Sequence, residues 1–431
     1  IKKSHAILRP YMANSKKIYD VIVIGGGPAG MMAAGRAAEL GQRVLLLEKN
    51  ASLGKKLLIT GGGRCNVTNA EFDERRFLAK FKDAKKFLFS PFARFSVKET
   101  IDFFEHKNMP IKIEAENRAF PVSNSAKSVW EVLVAYMKAS NVEVMTNSAV
   151  SGFQYAYELI TGVQLKNKTL VQANNYILAT GGTSRPETGS TGDGFGWLKT
   201  IGHTVIEQSA ALVPVMIKEK WVHTLAGVSL SEVKATVLQN NIKQATATGK
   251  LLFTHFGLSG PLILNMSRDI GELLKYGPVS LILDIMPGRD MADINAEILN
   301  KLQENHTKRL RNALSGLVQT SLLNAIIKVS GIDAGKPANS VTRSERQQLV
   351  QLLKKLPMTP TGLMGLDKAI IASGGVKLEE VDFKTMRSKL FSNLYLVGDI
   401  LNIDRPSGGY SLQLCWTTGY VAGSSAAQKS L

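Results

Sequence analysis

Three stretches hold the residues whose types and spacing could do chemistry. In the first, Gly25-x-Gly27-x-x-Gly30 follows an apolar run, Val21 to Ile24, and opens an alanine-rich segment stopped by Gly41. A second apolar run, Val44 to Leu47, ends at Glu48, 18 residues after Gly30. This order predicts strand, turn, helix, strand and acid, the arrangement that holds a dinucleotide. Gly25 makes the tight turn, and Gly27 lets backbone approach a pyrophosphate. Pro28 and Ala29 begin the helix whose N-terminus faces that pyrophosphate, and Gly30 lets helix and strand pack closely. Glu48, with Lys49 beside it, stands where an acid accepts a hydrogen bond from an adenosine ribose hydroxyl.

The second stretch is "LLITGGGRCNVTN", 57–69. Its glycines suggest a phosphate-cradling loop, but it lacks the Gly-Lys-Ser/Thr ending and follows the ribose-binding acid instead of the first strand, so it is not a P-loop. Thr60, Gly61, Gly62 and Gly63 read as a second cofactor loop that offers backbone amides, with Arg64 and Asn66 fixing the loop or the substrate side. Cys65 is a candidate proton donor. Arg64 beside it would lower its pKa, which helps a nucleophile more than an acid; the alternative is a small packing residue. The third stretch, "FTHFGLSGP", offers His255, a residue type that can serve as an acid, or as a structural turn histidine.

Other segments complete the cofactor expectation. An apolar strand, Tyr176 to Ala179, runs into Thr180, Gly181 and Gly182, and Asp193 stands at a helix start where it could cap free amides. Near the C-terminus "NLYLVGDILN" ends a strand at Gly398 and Asp399, and Gly408, Gly409, Tyr410 and Ser411 lead into a helix. A strand ending in Gly-Asp ahead of a helix suits the ribityl chain of FAD. The expected class is α/β: a Rossmann-like FAD-binding domain built from both ends of the chain, residues 18–203 and 371–431, with the middle inserted. No second GxGxxG follows a strand, so NADH or NADPH has no dedicated domain and would visit as a transient reductant.

Composition narrows the partners. With 431 residues, 44% apolar and 20% charged, the chain suits two or three soluble domains. Cys65 and Cys415 show neither a disulfide framework nor metal spacing, so no metal is expected and a reducing cytoplasm is the natural compartment. No run of about 18 uncharged apolar residues predicts a membrane span. The 53 Lys and Arg against 35 Asp and Glu give +18, which draws polyanions, RNA included, or serves solubility alone. Arg75 to Lys98 holds eight basic residues against Asp83, interleaved with phenylalanines; Phe77, Phe81 and Leu88 share a helical face and read as core, leaving the lysines on a solvated face. Lys308, Arg309 and Arg311 form a second basic cluster. Oligomeric state is not legible, and residues 1–17, basic and without acids, read as a flexible extension.

The blocks "GGGPAG", "GKKLLITGGGRCNVTN", "NRAFPVS", "LATGG", "GSTGDG", "LLFTHFGLSGP", "TMRSK", "LYLVGDIL" and "GGYSLQ" occur in that order. In them the chain resembles the BaiN/RdsA-type FAD-dependent oxidoreductases, from about Tyr19 to Gly423. The resemblance implies an FAD fold with an inserted β-barrel, placed at 204–285 and 346–370, and a helical subdomain, placed at 286–345. It implies reduction of a carbon–carbon double bond, foremost uridine to dihydrouridine in large-subunit ribosomal RNA; the alternative is a small-molecule flavoenzyme, an ene-reductase or an aminoacetone-type amine oxidase. Asp399 stands where the family commonly has glutamate and keeps an acceptor. Lys250 replaces an acid and makes its neighbourhood more positive.

Overall fold

The computed structural model describes residues 19–365 and 371–428; the extension expected at 1–17 lies outside them. A parallel five-stranded sheet runs in the order Leu394–Leu396, Ala173–Leu178, Tyr19–Ile24, Val44–Leu47, Glu143–Met145. Strands from the start, middle and end of the chain thus lie side by side, as expected of an α/β fold assembled from both ends. The inner strands read as continuous apolar runs because a parallel sheet is covered on both faces; Val21, Ile22, Leu45, Leu46 and Ile177 are wholly buried.

Helix Pro28–Glu39 leaves the first strand, and the C-terminal helix Tyr410–Ala426 lies against it. Small residues set their spacing. A Cβ at Gly419 would stand 2.5 Å from the Ala29 carbonyl oxygen, and one at Gly423 2.5 Å from that of Ala33. The C-terminal helix therefore locks the dinucleotide-type turn to the last strand and its Gly398–Asp399 end.

Between these parts, Val205–Ala211 and Ile371–Val376 pair antiparallel and connect to an insert with its own core. Its strands are Val215–Ile217, Ser229–Gln239, Ile242–Thr254, Gly257–Ser259 and Val279–Asp284. The segment Leu356–Met358 pairs with Val279–Asp284, and Pro360–Leu363, one residue on, pairs with Val215–Ile217. One segment bent at Thr359 so closes the sheet into a barrel. Alternation fills its interior: Val233, Ala235 and Val237 point in along one strand, Leu281 and Leu283 along another.

Helix Pro261–Leu274 packs on this sheet, and helices Met291–Glu304, Leu310–Ala313, Thr320–Ser330 and Arg343–Lys354 follow. The helical block expected to end at 345 continues to Lys354. Thr342 and Glu345 form a reciprocal capping box, the Glu345 amide donating to the Thr342 hydroxyl at 3.2 Å and the Thr342 amide to the Glu345 carboxylate at 2.8 Å. A boundary at 345 would cut that helix in its first turn. No helix among the described residues is long and apolar enough to cross a membrane.

Candidate cofactor and active site

A cleft opens at the carboxyl ends of the parallel strands, where ligands of open α/β sheets bind. It gathers Gly25, Gly27, Pro28, Ala29, Glu48, Lys49, Thr180, Gly181, Asp193, Gly398 and Asp399, together with Asn50, Lys56, Trp197 and Cys415. The three glycines of the first turn differ in what surrounds them. Gly25 has φ +107°, and a Cβ there would stand 2.5 Å from the Ala179 carbonyl oxygen; one at Gly30 would stand 1.9 Å from the Gly25 carbonyl oxygen. Gly27 has nothing within 4 Å of its Cβ position. Two glycines are therefore fixed by packing, and the third leaves open backbone facing the cleft. Thr180 Oγ1 is buried without a hydrogen-bond partner among the described residues. Open backbone, an orphaned hydroxyl and an acid at the next strand end are what an adenine dinucleotide needs, so the residues present fit FAD.

Glu48 is 7% exposed, and its carboxylate accepts from the Gly26 amide at 2.8 Å, the Asn50 amide at 2.8 Å and the Asn50 side chain at 2.7 Å. A carboxylate has about four lone-pair sites, so one remains for a ribose hydroxyl. Asp193 does not cap its helix, contrary to the sequence expectation. Gly192, with φ +78°, takes the cap position, and the Asp193 carboxylate accepts from Lys49 Nζ at 2.8 Å. Burial alone would raise the Asp193 carboxyl, but hydrogen bonds from Lys49 and Thr191 hold it below the ordinary carboxylate range. The 188–193 loop is thereby closed over the Glu48–Asn50 corner.

At the other end of the cleft lies a group of charges that the sequence patterns did not single out. Asp399 is bonded to the Arg405 guanidinium and lies 3.2 Å from Lys56 Nζ, which also reaches Ser184 Oγ at 3.3 Å. The Arg405 side chain is 1% exposed and also donates to the Ile403 carbonyl at 2.6 Å and Ser411 Oγ at 3.0 Å. Burial would raise the Asp399 carboxyl, but the Arg405 and Lys56 charges outweigh it and keep the group ionised. Two cations against one anion leave a positive excess beside the cleft. The sequence patterns pointed to Asp399 and Ser411 but not to the Arg405 and Lys56 cations that hold the carboxylate. Cys415 lies under Gly398, its thiol pushed up to about 12 by burial and the Asp399 charge.

The 57–69 stretch departs from expectation. Thr60, Gly61, Gly62, Gly63, Arg64, Cys65 and Asn66 do not line this cleft. Arg64 turns to Glu114 Oε1 at 2.5 Å and Asn124 Oδ1 at 2.6 Å and lies 4.1 Å over the Phe120 ring. It therefore does not lower the Cys65 pKa. Cys65 is 0% exposed, and burial pushes its thiol up to about 12 against a weaker opposing hydrogen bond with Thr60. A thiol in that position is packing. Asn66 Oδ1 is buried without a partner among the described residues.

The end of the same stretch meets the C-terminal motif. A Cβ at Gly409 would fall 2.3 Å from the Thr68 carbonyl carbon, and the Asn69 side chain donates to the Gly408 carbonyl at 3.3 Å. Buried Gln413 accepts from the Thr68 hydroxyl at 2.6 Å and donates to Thr100 Oγ1 at 2.8 Å and Thr417 Oγ1 at 3.1 Å. Tyr410 packs on Phe77, with ring centroids 4.8 Å apart. Gly182 is buried behind Gly181. His255 is exposed on the hairpin between Ile242–Thr254 and Gly257–Ser259, outside the cleft lining. The helix after that hairpin docks on the loop before Gly408: Asn265 Oδ1 accepts from the Ser407 amide at 3.0 Å, and Arg268 pairs with Asp404.

This architecture recurs in proteins of known activity. The chain is 14% identical to 3-ketosteroid-delta4-(5alpha)-dehydrogenase from Rhodococcus jostii, with a TM-score of 0.54 over 95% of this chain and 97% of that one, a likeness of fold. It is 29% identical over 411 residues, 94% of this chain and 98% of the relative, to the 3-dehydro-bile acid delta(4,6)-reductase of Clostridium scindens. It is 29% identical over 405 residues, 93% and 96%, to the ribosomal RNA dihydrouridine synthase of Haemophilus influenzae. Residues 19–425 match the family described as HI0933-like protein Rossmann domain. With that match spanning both halves of the sheet and the whole insert, the chain belongs to the HI0933-like family and is an FAD-dependent oxidoreductase.

Proposed function

We propose that the enzyme reduces the 5,6 double bond of a uridine in large-subunit ribosomal RNA, in the cytoplasm, with NADH or NADPH as the visiting reductant. The observation that carries this reading is the end-to-end likeness to a ribosomal RNA dihydrouridine synthase, and the net charge of +18 suits a polyanionic substrate. Bound FAD supplies a two-electron carrier between nicotinamide and carbon. The chain's own residues do the rest. The amides around Gly27 and the first turn hold the pyrophosphate, Glu48 a ribose hydroxyl, and Asp399 a ribityl hydroxyl. The Lys56–Arg405 excess and the N-terminus of helix Tyr410–Ala426 favour negative charge where the two ends of the chain meet.

Hydride arriving at one alkene carbon leaves a negative charge that a proton at the neighbouring carbon must neutralise. Cys65 cannot meet a substrate, so the reading assigns the proton to His255, exposed on the insert. One assay compares them. Cys65→Ala should keep turnover within about twofold and lose about 1–2 kcal/mol of stability from the small cavity. His255→Gln should still let NAD(P)H bleach the flavin, while product formation falls about 10²-fold. The reverse ranking would return the acid to Cys65.

The function itself is tested by mass spectrometry of nucleosides from large-subunit RNA of cells lacking the gene. Dihydrouridine should disappear, and an unchanged level sinks the reading. A second reading, a small-molecule ene-reductase, is favoured by equal identity to the bile acid reductase. It predicts NAD(P)H-dependent reduction of a steroid dienone without RNA. Rapid peroxide formation with small amines would instead mark an amine oxidase.

A further inference from the structure

We infer that the kinked helical segment Lys80–Arg94, with the neighbouring loop at Lys384, is a docking surface for single-stranded RNA flanking the reduced base. The inference rests on the reading that the substrate is RNA, but it concerns a surface outside the catalytic cleft. The segment is built as Glu74–Leu78, Ala79–Ala84 and Lys85–Arg94, broken at Lys82, whose φ of 48° and ψ of −122° lie outside the helical region. The break turns successive basic residues outward together. Lys80, Lys82 and Lys86 are exposed, Lys85 partly so, and no ion pair to any of the four is found among the described residues. Two other surface cations nearby are paired, Lys98 with Asp102 at 2.5 Å and Arg76 with Asp73 at 3.8 Å.

Two further observations distinguish this surface from a merely solvated face. Arg94 donates to the Lys384 carbonyl at 3.0 Å, which joins the helices to a loop carrying exposed Lys384 and Lys389. Two phenylalanines break the basic surface, Phe89 and Phe383, each 41% exposed, and Lys85 stands 5.8 Å over the Phe89 ring. Free cations with interspersed aromatic faces are the means by which a protein tracks a phosphate backbone and stacks unpaired bases. Of the other phenylalanines here, Phe77, Phe81 and Phe92 are wholly or almost wholly buried, and Phe87 is partly buried against the core. The surface therefore has no broad apolar face to enter a bilayer, which argues for nucleic acid over anionic lipid. Its position suits a flanking strand: Phe77 and Phe81 pack on Tyr410, with centroids 4.8 and 5.9 Å away, so one aromatic layer separates the surface from the Gly408–Gly409 turn.

The test uses flavin-loaded protein and a fluorescein-labelled oligouridylate, read by anisotropy across a salt series. Wild type should bind with steep salt dependence. The variant Lys80→Gln/Lys82→Gln/Lys85→Gln/Lys86→Gln should bind at least about tenfold more weakly, with the log–log salt slope reduced by about 3, roughly 0.7 per phosphate lost. Phe89→Ala/Phe383→Ala should weaken binding about tenfold and leave the slope unchanged. The control Lys308→Gln/Arg309→Gln/Arg311→Gln, on the insert, should stay within about threefold of wild type. Flavin spectrum, melting midpoint and NAD(P)H oxidation should be the same in all. An unchanged affinity in the quadruple variant, or an equal loss in the control, overturns the surface. So does capture by phosphatidylglycerol vesicles, lost in the quadruple variant, without RNA binding. Dihydrouridine that persists in cells carrying the quadruple variant at wild-type level argues against the surface while leaving the function intact. Binding lost as described with no dihydrouridine made by wild type keeps the surface and removes the proposed reaction.

Discussion

Gly30→Ala should give a protein without flavin and with its melting transition lowered or abolished. The substitution adds one methyl, and on helix propensity alone it would stabilise by about 1 kcal/mol. Geometry reverses that sign. The new Cβ would stand 1.9 Å from the Gly25 carbonyl oxygen, and the Ala179 Cβ lies 3.2 Å away on another side. Neither neighbour is the free end of a flexible side chain: one is the backbone of the tight turn, the other the end of a central strand. The helix must leave the sheet, and the C-terminal helix packed on it through Gly419 and Gly423 must follow. Overpacking of this kind costs about 4 kcal/mol. Gly27→Ala separates binding from folding. With φ −79° and nothing within 4 Å, an alanine there is unstrained, and as a cap residue it costs at most about 1 kcal/mol. It should melt close to wild type and still hold flavin about tenfold or more weakly, because its methyl fills the approach of backbone to pyrophosphate. Calorimetry and the flavin-to-protein absorbance ratio read both. Full flavin in Gly27→Ala would remove that glycine from the binding site, and a normal melt in Gly30→Ala would refute the packing argument.

The contrast between these glycines shows what a sequence carries. Gly25, Gly30 and Glu48 were legible because their roles are local: a turn, a close helix and a strand end follow from spacing along one βαβ unit. The joining of both chain ends was legible for a similar reason, since an apolar strand ending in Gly-Asp has few other places to go. Cys65 stayed open between proton donor and packing residue because spacing places it beside Arg64 but does not say where either side chain turns. Glu114, Asn124 and Phe120, about fifty to sixty positions away, take the guanidinium and leave the thiol in the core. Asp193 was misread as a cap because its partner Lys49 comes from the turn after strand Val44–Leu47, far away in sequence. Arg405 was missed altogether. A buried arginine is visible only once its carboxylate is placed in space, and no periodicity announces it.

That arginine sets the second large effect. Asp399→Asn should lower the first unfolding transition by about 6–12 °C and reduce flavin content, because it removes the only carboxylate among the described residues bonded to an arginine side chain that is 1% exposed. Breaking one side of a buried pair costs about 3 kcal/mol, more than the pair adds over a neutral site, because the remaining cation cannot be hydrated. The Ile403 carbonyl and Ser411 hydroxyl still accept from Arg405 but bring no charge, and Lys56 loses its counter-ion too. Acid gives an independent check. The Asp399 carboxyl is held below its ordinary value, so the stability it contributes is complete above the unfolded value of about 3.9 and is lost as pH falls through the folded one. Asparagine does not titrate. The gap between wild type and variant should therefore be constant from neutral pH to about 5 and narrow as pH falls below about 4. A gap that stays constant into that acid range would mean the lost stability came from shape and not from charge. Asp399→Glu offers a rescue, since it restores the charge in a longer side chain; recovery of the neutral-pH melt without recovery of flavin would separate the carboxylate's bond to Arg405 from its place at the cofactor.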